Sequence, residues 1–167
     1  SLGSDVQFFK VTLQSSWYFP VTRWLVLALS GSGGVAKNFG ETLTVPISER
    51  FFLGGRSSVR GYEQDSLGIS GITIIDGTPT GGNAMLLVNG EFRISLLWGL
   101  GLVTFIDGGN VWPEYNEISV SEMKYSAGVG LRYNTPIGPI RLDLGYKLEP
   151  EPDEIGSELH FTLGHTF

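Results

Sequence analysis

Gly138-Pro139-Ile140-Arg141-Leu142-Asp143-Leu144-Gly145-Tyr146-Lys147-Leu148 reads as an alternation of apolar and polar positions. A strand turns successive side chains to opposite faces, so Ile140, Leu142, Leu144 and Tyr146 share one face and Arg141, Asp143 and Lys147 share the other. The segment before it, roughly residues 124–134, sets Tyr125, Val129, Leu131 and Tyr133 against Ser126, Gly128, Gly130 and Arg132. A face carrying Arg132, Arg141, Asp143 and Lys147 cannot be a dry core, because unpaired ions there cost several kcal/mol each. The aromatic-rich opposite face needs cover of its own. Both demands are met if the apolar face touches lipid and the polar face lines a wet lumen. A soluble antiparallel sandwich with its polar side in water is the competing arrangement, and it leaves the aromatic surface bare.

The same period recurs along the chain. Strands are expected at roughly 5–19, with Phe9, Val11, Leu13, Trp17 and Phe19 on one face, and at 22–33, with Leu25, Leu27 and Leu29 outward. A third at 83–95 opposes Leu86, Val88, Phe92 and Ile94 to Asn89, Glu91 and Arg93. The fourth, 99–111, is apolar on both faces until Asp107. After the hairpin 124–148 comes a terminal strand, 159–167, in which Leu159, Phe161, Leu163, His165 and Phe167 alternate with His160, Thr162, Gly164 and Thr166. Its final aromatic suits the lipid–water boundary of a membrane barrel.

Connections at 19–22, 95–99 and 134–138 are short, whereas 34–82, 112–123 and 149–157 are long, which is the outer-membrane pattern of tight periplasmic turns and long external loops. Seven strands then put residue 1 on the external rim. Bacterial barrels have an even count, so the expectation is the C-terminal half of a larger barrel, or a short eight-strand variant. An open seven-strand sheet would leave two edges unsatisfied in lipid.

Composition agrees with this class. Glycine supplies 24 of 167 residues, against a usual ~7%, and only 17% of residues are charged, against ~25% in soluble domains. A net charge of −6 with no basic run argues against a nucleic-acid partner. Cysteine is absent, which removes thiol and disulfide chemistry. No apolar run approaches the ~18 residues of a membrane helix.

Four segments, in order, resemble the BamA-like outer-membrane assembly and secretion superfamily (the bacterial surface antigen barrel domain). These are Arg50-Phe51-Phe52-Leu53-Gly54-Gly55 followed by Val59-Arg60-Gly61-Tyr62, the run Phe105-Ile106-Asp107-Gly108-Gly109-Asn110-Val111-Trp112, the hairpin Gly130 to Asp143, and the terminal strand. The resemblance implies a sixteen-stranded barrel preceded by POTRA domains, of which residues 1–167 hold barrel only. It also implies that the long connection 34–82, too long for a simple connector, folds back into the lumen.

There the Arg60 guanidinium requires acceptors. Glu91 projects inward by alternation, and Asp107 does so by its place in the matching motif. Both are expected to pin the loop, with Gly61 permitting a sharp reversal and Tyr62 packing on the wall. Inner-face glycines (Gly128, Gly130, Gly145 and Gly164) are expected to leave room for the loop. A phosphate cradle lacks its strand–loop–helix context. His160 and His165 lie on opposite faces of a strand, so no metal site is assigned. No Ser/His/Asp arrangement can be assembled, so no catalytic residue is assigned either.

The resemblance implies a function in non-enzymatic insertion of β-barrel proteins into the bacterial outer membrane, with no cofactor. The terminal strand (Phe161, Leu163, Gly164 and Phe167) would serve as assembly signal and strand template. Partners would be membrane lipid and client barrels, with assembly lipoproteins or a second copy completing the barrel. A secretion or passive pore, or an assembly-incompetent short relative, are the alternatives.

Overall fold

The computed structural model describes residues 7–40, 43–136, 138–150 and 155–164. Seven long strands form one antiparallel sheet: β1 (Phe8–Pro20), β2 (Leu25–Asn38), β5 (Ala84–Ser95), β6 (Leu100–Trp112), β7 (Lys124–Thr135), β8 (Gly138–Lys147) and β9 (Ser157–Leu163). Each pairs with the next long strand along the chain, in the order β1-β2-β5-β6-β7-β8-β9. A small ribbon, β3 (Ile74–Ile75) with β4 (Thr78–Pro79), lies within the long connection. No described helix is long and apolar enough to cross a membrane, which says nothing of strands.

The alternation read from the sequence is realised as two unlike faces. Leu13, Phe92, Ile106, Val129, Leu131 and Phe161 stand exposed on the outer face. Asp107, Ser126 and Asp143 are buried on the inner one. So large an exposed apolar surface on a monomer has its explanation in lipid. Trp24, Trp98 and Tyr133 are exposed near the short-turn rim, and Tyr115 and Tyr146 near the other, as the aromatic girdles of membrane barrels require.

Short turns are set by local chemistry. Thr22 Oγ1 accepts hydrogen bonds from the backbone N–H groups of Trp24 and Leu25, closing the β1–β2 turn. The β5–β6 turn places Trp98 and Gly99 at positive φ, 59° and 76°. β7 and β8 meet at the pair Thr135↔Gly138.

Two boundaries differ from the sequence reading. β2 does not end near Gly33 but continues to Asn38, so the long connection runs from 39 to 83 rather than from 34 to 82. Gly33 and Gly34 look like loop residues, yet they pair with Leu86 and Met85. A Cβ on Gly34 would lie 2.6 Å from the Phe51 ring, so the missing side chain makes room for the connection. At the other end β9 stops at Leu163, and Gly164 leaves the strand with φ +88°, off the inner-face alternation expected for it. His165, Thr166 and Phe167 lie outside the described residues.

Lipid contact can be tested on the outer face. Leu142 sits near the middle of β8 and points outward between Leu131 and Phe161. Leu142→Lys is expected to destabilise the bilayer-inserted protein by about 2–4 kcal/mol, the cost of a cation near the midplane. The check is a urea titration of refolding into vesicles, and an unchanged midpoint would contradict a lipid-facing Leu142.

Candidate functional site

The described residues of the connection, 39–40 and 43–83, form a packed body on the inner face of the sheet. Phe51 and Gly82 exchange backbone hydrogen bonds of 2.8 and 2.9 Å, which clamp the neck of the connection. Gly54 and Gly55 take φ +112° and +92°, a region costly for any other residue. The bond from Gly55 N–H to Tyr62 C=O, 2.9 Å, then closes a tight loop around the tip. Val45, Phe51, Leu53, Val59, Tyr62 and Leu67 pack with Ala36 of β2 and Val111 of β6 as an apolar cluster. Burial of such side chains contributes about 1.5–3 kcal/mol each, so the tip is held by packing as well as by charge.

At the tip, Arg60 is buried at 3% exposure against a fully buried Asp107 on β6. The guanidinium forks onto that carboxylate, Nε donating to Oδ2 at 2.8 Å and Nη2 to Oδ1 at 2.7 Å. Its backbone N–H donates to the same Oδ2 at 3.1 Å. Nη1 donates to Glu91 Oε1 on β5 at 2.5 Å. Burial disfavours the Arg60 charge, but the bonds to Asp107 and the fields of Asp107 and Glu91 outweigh it and hold the group above its ordinary value. Glu91 is shared, its Oε2 accepting from Arg93 Nε at 2.7 Å.

Three further residues complete the cluster. Phe105 lies two positions before Asp107 on the same face, with its ring centroid 3.6 Å from Arg60 Cζ, a stacked cation–π contact. Asn89, two positions before Glu91, donates from Nδ2 to Ser58 C=O at 2.7 Å and to Asp107 Oδ1 at 2.8 Å. His160 of β9 hydrogen-bonds through Nε2 to the Arg60 carbonyl at 2.9 Å. The period-2 signal that selects Glu91 also selects Asn89, whereas no sequence pattern marks the role of Phe105.

The glycines divide by what they face. A Cβ on Gly145 would stand 2.3 Å from Arg60 O, and one on Gly61 would stand 2.5 Å from Ser126 Cβ, so the loop tip touches β7 and β8 almost backbone to backbone. Gly61 serves this close approach. A Cβ on Gly128 would clash with the Phe105 ring and with Leu144 O. Gly130 instead makes room for Asp143, whose Oδ1 pairs with Arg132 Nη2 at 2.6 Å. Gly164 meets nothing. Tyr62 belongs to the apolar cluster, with Lys147 Nζ 4.8 Å from its ring centroid. Phe161 and Leu163 face outward and are exposed.

The sheet curls around this tip. Tyr18 of β1, Arg93 of β5, Arg141 of β8 and Thr162 of β9 line one cavity of about 280 Å3 together with Arg56 and Arg60. Among the described residues no group of histidines and carboxylates is arranged to hold a metal ion.

A lipid-facing antiparallel wall curled around a charge-anchored inner loop defines an outer-membrane β-barrel protein. The sequence matches the Omp85 superfamily domain over residues 1–167, and the chain belongs to that superfamily, in the bacterial outer membrane. It is 29% identical over 195 residues to the outer membrane protein assembly factor BamA of Neisseria meningitidis, a match covering 99% of this chain and 24% of the relative. It is 31% identical over 175 residues to the BamA of Nitratidesulfovibrio vulgaris, covering 99% of this chain and 21% of that protein. A SAM50-like protein of Schizosaccharomyces pombe is 28% identical over 178 residues, covering 99% of this chain and 37% of the relative. The fold superposes on the crystal structure of BamA from Haemophilus ducreyi lacking POTRA domains 1-3 with a TM-score of 0.74 at 24% identity, covering 96% of this chain and 35% of that one. The chain therefore spans about a quarter of the length of the two BamA relatives.

Proposed function

We propose that residues 1–167 form part of an outer-membrane barrel wall, and that the protein inserts client β-barrel proteins into that membrane without catalytic chemistry. The Arg60 loop is the internal brace. The observation that carries this reading is the four-bond anchoring of Arg60 to Asp107 and Glu91 in a chain whose relatives are named assembly factors. Within the described sheet, β1 and β9 each pair on one side only. Unpaired strand edges are costly in lipid and act as templates for strand addition. A braced wall can hold such an edge in register while a client strand pairs with it. Phe161 and Leu163, facing lipid on β9, suit an edge strand that also serves the protein's own assembly.

The test uses the full-length protein in proteoliposomes and an unrelated denatured barrel as client. Client folding is expected to accelerate over protein-free liposomes, and Arg60→Ala is expected to remove most of that acceleration. No acceleration by the wild type, with conductance that rises when residues 39–83 are shortened, would replace insertion by a plugged pore.

A further inference from the structure

Arg60 uses its side chain and its carbonyl in opposite directions. The guanidinium reaches β5 and β6, while the carbonyl oxygen reaches His160 on β9, the last strand of the sheet. Those two residues are a hundred positions apart in sequence. A carbonyl only accepts, so Nε2 of His160 carries the hydrogen. β9 is the shortest of the seven long strands, at seven residues, and pairs within the described sheet with β8 alone. A crevice lined by Arg56, Ser57, Gln64 and Leu159–Phe161 runs between the loop and β9, so the His160 bond crosses a gap that is otherwise loosely filled.

On the opposite side the same arginine is tied to the first strand. Glu91 accepts from Arg60 and from Arg93, and Arg93 Cζ stands 5.4 Å from the Tyr18 ring centroid on β1. Arg60 is thus the middle of a line of contacts from β9 to β1, the two edges of the sheet.

We infer that His160 is a positioning residue through which the docked loop holds edge strand β9, so that loop docking sets how firmly that strand is kept on the wall. This deepens the insertion reading and rests on it for its purpose, because β9 is one of the edges that reading offers to a client. The coupling itself is a property of the folded protein and is measured without any client.

The experiment is hydrogen–deuterium exchange of the full-length protein in lipid nanodiscs. His160→Ala is expected to speed exchange of the β9 amides about fivefold, the weight of one ordinary hydrogen bond. His160→Gln, whose amide can donate to the same carbonyl, is expected to restore the wild-type rate. Asp107→Asn, on β6 and three strands away, is expected to raise β9 exchange as well, and His160→Ala added to it should change little more. β9 exchange untouched by His160→Ala or by Asp107→Asn would overturn the coupling, as would a glutamine variant no better than alanine. If the exchange results hold and client folding is not accelerated, the insertion reading fails and the coupling stands.

Discussion

Asp107→Asn is expected to free the loop tip and to expose it to trypsin at Arg56, which already stands at the surface of the tip. The substitution keeps the size of the side chain and removes its charge. Arg60 would then remain buried with Glu91 as its sole described carboxylate partner, itself shared with Arg93. Breaking a buried ion pair in this one-sided way costs about 3–5 kcal/mol, roughly a hundredfold to several thousandfold in an opening equilibrium. The adjacent cavity of about 280 Å3 has room for solvent to replace part of the guanidinium's lost partner, which moderates that figure. Proteolysis of a transiently opened segment follows the open population when reclosing is fast. The cleavage rate in reconstituted full-length protein should therefore rise by about a hundredfold. A rate within a factor of about two of wild type would mean the ion pair holds nothing, the ordinary result for a solvated pair.

Gly145→Ala is expected to release the same loop without touching a charge. An added Cβ would lie 2.3 Å from the Arg60 oxygen, 2.5 Å from its carbonyl carbon and 2.8 Å from Gly61 N. These are backbone atoms, so no rotamer can relieve the overlap and the tip must move. The fork on Asp107, with bonds of 2.8 and 2.7 Å, opposes that movement. Overpacking a well-packed site costs about 1–3 kcal/mol, or roughly five- to over a hundredfold in the same cleavage assay. Gly31→Ala is the control, since nothing lies within 4 Å of the Cβ it would add. Equal cleavage of the two variants would show that the loop does not rest against β8.

The hairpin of β7 and β8 is readable because its apolar and polar residues alternate strictly, with lipid on one side and water or the loop on the other. β6 resisted the same treatment. Its first half is apolar on both faces, and only the burial of Val103 and Phe105, the latter under the Arg60 guanidinium, with Ile106 left exposed, shows which way it points. Its outward-facing Asn110 and Trp112 are buried for a reason no alternation carries: both bond to Glu122 in the connection that folds over them. The end of β2 departs from the sequence reading because Gly33 and Gly34 are turn residues by composition, while the room that Gly34 leaves inside the strand is filled by Phe51, a residue from elsewhere in the chain.

Order within 39–83 comes from distant partners and positive-φ glycines, so it leaves no period to find. Of the site, Glu91 follows from strand alternation, and Asp107 from its place in the family motif. The roles of Phe105, Asn89 and His160 depend on where the loop tip lands, a three-dimensional fact that the spacing of neither strand contains. The same holds for the glycines. Gly145 and Gly128 make room for the tip and for Phe105, whereas Gly130 serves Asp143 and Gly164 ends a strand.

Amide exchange at the loop tip is the most direct measurement of whether residues 39–83 are fixed inside the wall. In the folded protein the N–H groups of Gly55, Ser58, Arg60 and Tyr62 donate to Tyr62 O, Gly55 O, Asp107 Oδ2 and Val59 O respectively. In full-length protein in nanodiscs these four amides are expected to exchange as slowly as amides in the middle of β5 and β6, since all must wait for an opening of the packed tip. Exchange at the rate of an unstructured peptide, with β5 and β6 still protected, would mean that the loop is free in the lumen and that Arg60 braces nothing.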